Sequence, residues 1–536
     1  MPRPTDVADL VASAAAECPD RLALVEVGGR SLTWAGLEDE VARVASGLNR
    51  FDVFGGHRVM IVLGNRLEFV TTYLGALRAH AVAVPVNPQA APYDLARMVA
   101  DSGARMVVAA ADTAPRVREA VAMLAAALDG TPLDGAGELE PELLARARVP
   151  RLVVLGEGVE SPEVTYADLV SGPAEPVASA GDAERLAALL YTAGTSGRPR
   201  AAMLTHRALL ANIEQVADTD PPMMHGDDVV LGVLPLFHVY GLNAVLGSVL
   251  RHRAKLVLVD GFDPEATLDL IDDEAISVLP VAPAVFGHWN GRDQLRERLG
   301  PVRLVLSGSA VLAGPVSAEF TAGTGLEVHQ GYGLTEASPV VTTTMRSAQV
   351  RPGSVGRPLS GVEVRLVDEV TGHLEGDDPG EIQIRGANLF SGYWPDGADG
   401  PDTDGWWPTG DVGYIDADGD LYLVDRVRDM VVVHGFNVYP SEVEDVVAEV
   451  EGVSSAAVIG VDDPETGEAV VAYVVSSEPA EAVEAAVRDH VAGRLARFKQ
   501  PTRIEVVTEL PTTVTGRVEK GRLRGIERRR ALGLLE

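Results

Sequence analysis

Between about residue 20 and residue 330, short runs of apolar, often β-branched residues alternate with segments that carry helix-start signals. Arg58 to Leu63 is followed by Asn65 as a helix cap, Lys255 to Val259 by Asp263-Pro264 opening a helix, and Val302 to Leu306 by a helix over Pro315 to Phe320. Such alternation predicts an α/β fold of parallel sheets covered by helices on both faces, with ligands in crevices at the carboxyl ends of the strands. After Val340 the texture changes to turn-rich strands, among them Val362 to Val367 and Gly380 to Arg385, which predicts an antiparallel or barrel-like β subdomain over about 340–424. A further boundary lies near Asp425. Beyond it, Val431 to Val433, a helix opened by Pro440-Ser441, two strands near 454–476, an alanine-rich helix and a basic tail suffice for an α+β domain over 427–536.

Length and charge narrow the function. A chain of 536 residues holds three or four folding units, or two large ones. Its net charge of −33 repels phosphate backbones and anionic lipid heads, so neither nucleic acid nor a membrane surface is an expected partner. One cysteine, Cys18, permits no internal disulfide and no thiolate metal cluster, which reads as a reducing, cytoplasmic compartment. No targeting segment is evident at either end. Val229 to Leu250 carries no charge and is long enough to span lipid, but Pro235, His238 and Asn243 interrupt it; a short strand followed by a helix fits better.

Three segments carry chemistry. Tyr191 to Arg200, rich in Gly, Ser and Thr, lies between an apolar run and a helix capped by Thr205. A strand–loop–helix of this composition can wrap a polyphosphate with backbone N–H groups and hydroxyls, although the same composition also makes an ordinary turn. It is not a Walker loop, since the chain's three lysines, Lys255, Lys499 and Lys520, lie elsewhere. Gln330 to Glu336 resembles the G-x-G-x-x-G fingerprint but carries Glu336 at the third glycine, which weakens a hydride-transfer reading. An aromatic ring, a threonine and a carboxylate suit a purine, a phosphate oxygen and Mg²⁺ instead. In Trp406 to Asp411, Asp411 can accept hydrogen bonds from a ribose diol.

These three in this order, followed by Asp425 to Asp429 and Gly435 to Glu442, resemble the adenylate-forming superfamily of acyl-CoA synthetases, luciferases and peptide-synthetase adenylation domains over nearly the whole chain. The resemblance implies a two-step reaction with ATP, Mg²⁺ and CoA. A carboxylic acid attacks the α-phosphate and releases pyrophosphate, and a thiol then captures the acyl adenylate. It also implies roles. Thr192, Thr195, Ser196 and Gly197 would lie over the β- and γ-phosphates, Thr335 on the α-phosphate and Glu336 on Mg²⁺. Ser307, Gly308, Ser309 and Ala310, with Gly331, Tyr332 and Gly333, would form the adenine wall, and Asp411 and Arg426 the ribose ligands. His238 would gate the acyl path. The C-terminal domain would rotate about a hinge near 425–428, at Arg428, with Gly435 admitting the pantetheine arm.

Two positions depart from the family's pattern. Pro199-Arg200-Ala201 stands for P-K-G, and Thr515-Gly516-Arg517 for T-G-K, so Arg517 takes the place of the lysine that reaches the substrate carboxylate. The leading expectation is an acid–thiol ligase for a medium- or long-chain fatty acid, by analogy of the Gly435 to Glu444 run and the apolar approach around Phe237 and Val281 to Phe286. The run Pro235 to Gly241 lacks the Asp that would pair a substrate ammonium, which disfavours an amino acid. An aryl acid is the rival substrate. A degenerate nucleotide- or acyl-binding protein is the rival class, and an acyl carrier protein is an alternative acceptor.

Overall fold

The computed structural model describes residues 4–531 except 132–138, 179, 194–198, 311, 369–371, 374–378, 427–428, 434–435, 464–466, 493 and 514–517. Two sheets dominate the N-terminal part. The first has seven strands, in the order Val164–Thr165, Arg151–Leu155, Met106–Ala110, Arg58–Val62, Val82–Pro85, Leu186–Ala193 and Pro199–Thr205, all parallel except the last pair. The second sheet contains a parallel block, Leu22–Glu26, Lys255–Leu258, Val229–Gly232, Val278–Val281, Leu304–Ser307 and Val328–Gly333. It continues past that block through antiparallel strands, from Val340–Thr343 to Trp406–Ile415 and Leu421–Arg426, so the turn-rich region extends the second sheet.

Apolar strands need cover on both faces, and the chain supplies it in layers. The helices Trp34–Arg50, Leu67–Arg78 and His206–Ala217 share one core with Val59 and Ile61 of the first sheet and Leu24, Val230 and Leu256 of the second. Pro92–Ser102 and Ala114–Leu128 cover the far face of the first sheet, through Leu95, Val99, Val117 and Leu124 against Met60, Val62 and Val84. Pro264–Asp273, Ala284–Trp289 and Gly314–Thr324 cover the far face of the second. There Phe286 and Phe320, both fully buried, meet edge to face at 5.0 Å. The C-terminal part folds around its own core, with a five-stranded sheet packed against Pro440–Ala448 and Ala480–Ala492.

Local signals explain where these elements begin. Asp263 caps its helix by accepting from the N–H groups of Glu265 and Ala266, and Thr205 caps His206–Ala217 through Ala208. Val229 to Leu250 folds as a strand, a π-helix over Tyr240–Gly247 and a short α-helix over Ser248–His252. Among the described residues no helix is long and apolar enough to cross a membrane.

Two local expectations are corrected. Asn65 does not cap the helix that follows, which starts at Leu67. Its side chain is instead buried between the sheets, donating to Gly232 O and Leu234 O and accepting from Leu236 N–H, each at 2.9 Å. Three backbone partners in a dry environment outweigh one cap. The Tyr191 to Arg200 segment is not a strand–loop–helix either. Thr192 lies opposite Arg200 and Ala193 opposite Pro199, so a β-hairpin precedes the helix, and no helix N-terminus directly follows the loop.

Candidate active site

The parallel block of the second sheet places the motifs side by side. Val281 is registered with Ser307, and Ser307 with Gln330, so Ser307-Gly308-Ser309-Ala310 and Gly331-Tyr332-Gly333 leave adjacent strands at their carboxyl ends. Pro235 to His238 follows Val229–Gly232 at the same edge of the sheet. Backbone approach there is too close for side chains. A Cβ on Gly331 would lie 2.7 Å from Thr342 O, and one on Gly333 would lie 2.4 Å from Pro339 O. Ser309 adopts a left-handed φ of 76°, a conformation L-residues seldom take outside functional turns.

Glu336 sits in the 3₁₀ turn Thr335–Ala337 and is 7% exposed. Its Oε1 accepts a 2.6 Å hydrogen bond from the Tyr393 hydroxyl, and Thr192 Oγ1 stands 3.5 Å from the same oxygen. Among the described residues no hydrogen bond falls on Oε2, which leaves a carboxylate oxygen of the kind a hard divalent cation selects. Burial, reinforced by the charge of Glu336, pushes the Tyr393 phenol above its ordinary pKa, so it remains a donor at neutral pH. Tyr393 arrives on a segment that pairs along Pro199–Thr205: Met203 N–H donates to Gly392 O, Ser391 N–H to Met203 O and Trp394 N–H to Ala201 O. The same stretch reaches the other sheet, since Phe390 N–H donates to Glu336 O at 2.9 Å.

Tyr332 and Asp411 also meet. The Tyr332 hydroxyl donates to Asp411 Oδ2 at 2.6 Å, and Asp411 lies opposite Arg426 in the antiparallel ladder, so the fold brings together residues from three motifs. Both side chains of the Tyr332–Asp411 bond are buried. The Ser307 hydroxyl is buried with no hydrogen-bond partner among the described residues, and so is His238 Nε2. Burial pushes the His238 pKa below the ordinary histidine value, so its ring is neutral at neutral pH. Two residues on, the Tyr240 ring packs against Gly308, where a Cβ would meet its Cε1 at 2.6 Å.

The family models match almost end to end: residues 11–394 match the AMP-binding enzyme model and 442–517 the AMP-binding enzyme C-terminal domain. The chain belongs to the AMP-binding enzyme family. A 4-coumarate–CoA ligase-like protein of Oryza sativa subsp. japonica is 32% identical over 98% of this chain and 93% of its own length. A long-chain-fatty-acid–CoA ligase of Bacillus subtilis is 31% identical over 96% and 93%. Among solved structures, ATP-bound MatB from Rhodopseudomonas palustris superposes with a TM-score of 0.85 at 31% identity, covering 97% of this chain and 98% of that one. This AMP-binding enzyme is an adenylate-forming ligase of the CoA-ligase group, whose members use ATP, Mg²⁺ and CoA.

Not every predicted residue of this enzyme can be placed. Thr195, Ser196, Gly197, Arg428, Gly435 and Arg517 lie outside the described residues, as does the side chain of Arg426. Lys520, close in sequence to Arg517, pairs with Glu444 at 2.9 Å. Other tail cations are likewise engaged locally: Lys499 with Glu442 and Arg524 with Asp429, each at 2.6 Å, and Arg503 with Glu505 at 3.1 Å. Tyr393, Tyr240 and Asn65 join the site although the sequence motifs do not single them out. The run Ser391-Gly392-Tyr393-Trp394-Pro395, aromatic residues punctuated by Gly and Pro, was the available signal for the first.

Proposed function

We propose that this enzyme activates a compact aryl acid of the arylpropenoate kind and transfers it to CoA. The observation that carries the acid class is the Tyr240 ring packed against Gly308, at the strand ends where His238 and Ser307 keep polar atoms unpartnered among the described residues. A flat aromatic wall stacks on a flat acyl group, whereas an alkyl chain needs a channel past that wall. Val281 and Phe286, part of the apolar run that suggested a fatty acid, are buried in the core against Phe320. The fatty-acid reading keeps the support of the Bacillus subtilis relative.

In this reading the acid's carboxylate oxygen bonds to the α-phosphorus as pyrophosphate leaves, and the thiol of CoA then forms the thioester as AMP leaves. Mg²⁺, when bound, neutralises phosphate charge during the displacement. Glu336 offers it Oε2, Thr335 faces the α-phosphate, and Thr192 with Thr195, Ser196 and Gly197 borders the β- and γ-phosphates. Asp411 and Arg426 hold the ribose, and Ser307 to Ala310 with Gly331 to Gly333 border the adenine. Arg517 neutralises the acid's carboxylate, His238 gates the acyl path as a neutral ring, and Gly435 admits the thiol arm. A reducing, cytoplasmic setting goes with the single cysteine.

The test is turnover of the purified chain with ATP, Mg²⁺, CoA and a panel of cinnamate-type, benzoate-type, octanoic and palmitic acids, read as pyrophosphate and as acyl-CoA by mass spectrometry. Cinnamate-type acids should turn over best, and Glu336→Ala should abolish release. Preference for octanoate or palmitate overturns the acid class. ATP binding without turnover of any acid overturns the enzyme in favour of a binding protein, and acyl transfer only to a carrier protein overturns CoA as acceptor.

A further inference from the structure

Arg200 is not aimed at open space. Its guanidinium carbon lies 3.8 Å from the centroid of the Tyr393 ring, and Nη2 pairs with Asp399 Oδ2 at 2.8 Å. A planar guanidinium stacks on an aromatic face in a way that a lysine ammonium does not, so arginine suits this place for a reason independent of phosphate. Phe390 also meets the ring, edge to face at 5.1 Å, and the Tyr393 N–H donates to Ala398 O at 2.9 Å. The hydroxyl of this doubly held ring ends on Glu336 Oε1.

We propose that Tyr393, clamped by Arg200, is a positioning residue that fixes the Glu336 carboxylate with Oε2 presented to the divalent cation. The proposal rests on the reading of Glu336 as the cation's ligand and deepens it. One hydrogen bond to Oε1 settles the rotation of the carboxylate plane, so the cation need not order it on binding. Residues that orient a metal's ligand typically contribute about 10- to 100-fold to metal affinity or activity. Asp399 holds the guanidinium from outside, with its side chain 70% exposed, and a pair so exposed contributes less.

The experiment measures Mn²⁺ binding to the intact protein with ATP and no acid, by electron paramagnetic resonance, so that no turnover is involved, together with the Mg²⁺ dependence of pyrophosphate release. Tyr393→Phe should weaken Mn²⁺ about tenfold while leaving KM for the acid in place. Arg200→Lys should weaken it about threefold, and the double variant should be no worse than Tyr393→Phe alone, because Arg200 acts through the ring. Additive losses, or an Arg200→Lys variant that loses ATP affinity at saturating Mn²⁺ with Mn²⁺ affinity intact, would make Arg200 a phosphate ligand and overturn the proposal. Unchanged Mn²⁺ affinity in Tyr393→Phe overturns it too. Asp399→Asn, an exposed change, supplies the same readout if the tyrosine variant does not fold: a small loss of Mn²⁺ affinity supports the clamp, and none refutes it. Glu336→Gln separates the two levels. If it keeps full Mn²⁺ affinity, the reading of Glu336 fails; if it loses Mn²⁺ while Tyr393→Phe does not, only the positioning role fails.

Discussion

Gly308→Ala tests the aromatic wall directly. The new Cβ would stand 2.6 Å from Tyr240 Cε1, 2.9 Å from Cζ and 3.2 Å from Oη. Carbon atoms settle at about 3.5 to 4.0 Å, so the ring must retreat by about 1 Å. Its backbone has little freedom to follow. Tyr240 opens the π-helix, and at the next residue a Cβ on Gly241 would already come within 2.4 Å of Pro235 O. Overpacking of this kind costs about 1–3 kcal/mol. If about 2 kcal/mol of it falls on binding of the acid in the transition state, kcat/KM for a cinnamate-type acid drops about 30-fold. Steady-state kinetics across the acid panel, with urea denaturation of the same preparation, measures both parts. Adding Tyr240→Leu should recover stability and shift the profile toward flexible chains. A Gly308→Ala enzyme with unchanged stability and an unchanged acid profile would refute the argument, because it would mean that the ring yields freely and bounds nothing.

Two further outcomes follow from buried polar groups. His206 lies fully buried, its Nδ1 accepting from Val7 N–H, and burial, with Arg185 adding to the effect, holds its pKa down at about 3. The folded ring stays neutral while the unfolded chain takes up a proton near the ordinary value of about 6.5, so stability is lost as pH falls, by about 2 kcal/mol from pH 7 to pH 5. Asp6 is shifted upward by burial and opposes this only toward the carboxylate range. Thermal melts should show a shallower decline for His206→Gln than for wild type between pH 7 and pH 5, and equal slopes would count against it. Asn65→Ala strips three buried backbone partners and should cost about 3 kcal/mol in urea denaturation. It should also raise KM for the acid, since Leu234 to His238 loses its anchor.

What was legible in the sequence is what local chemistry settles. Asp263 and Thr205 cap because each stands one residue before an amphipathic run, and the strands are apolar because both faces are covered. The order of strands places Ser307 beside Gln330, and the motifs at their carboxyl ends follow from α/β geometry. A cap and a core amide look alike in sequence, and at Asn65 only the carbonyls of Gly232 and Leu234, at and just past the end of a neighbouring strand, distinguish them. Pro199-Arg200 reads as a loop until its partner strand is known, so the pairing of Thr192 with Arg200 is not legible in sequence. Tyr393 lies 57 residues from Glu336, and no pattern of spacing announces such a bond.

Pro199–Thr205 is the last strand of its sheet, and an uncovered last strand invites pairing with another chain. The stretch carrying Tyr393 closes that border by hydrogen bonding along it. Substitutions that dislodge Ser391 to Trp394 would therefore expose a template for self-association. Inactive variants in this stretch need a solubility measurement before any defect is assigned to chemistry.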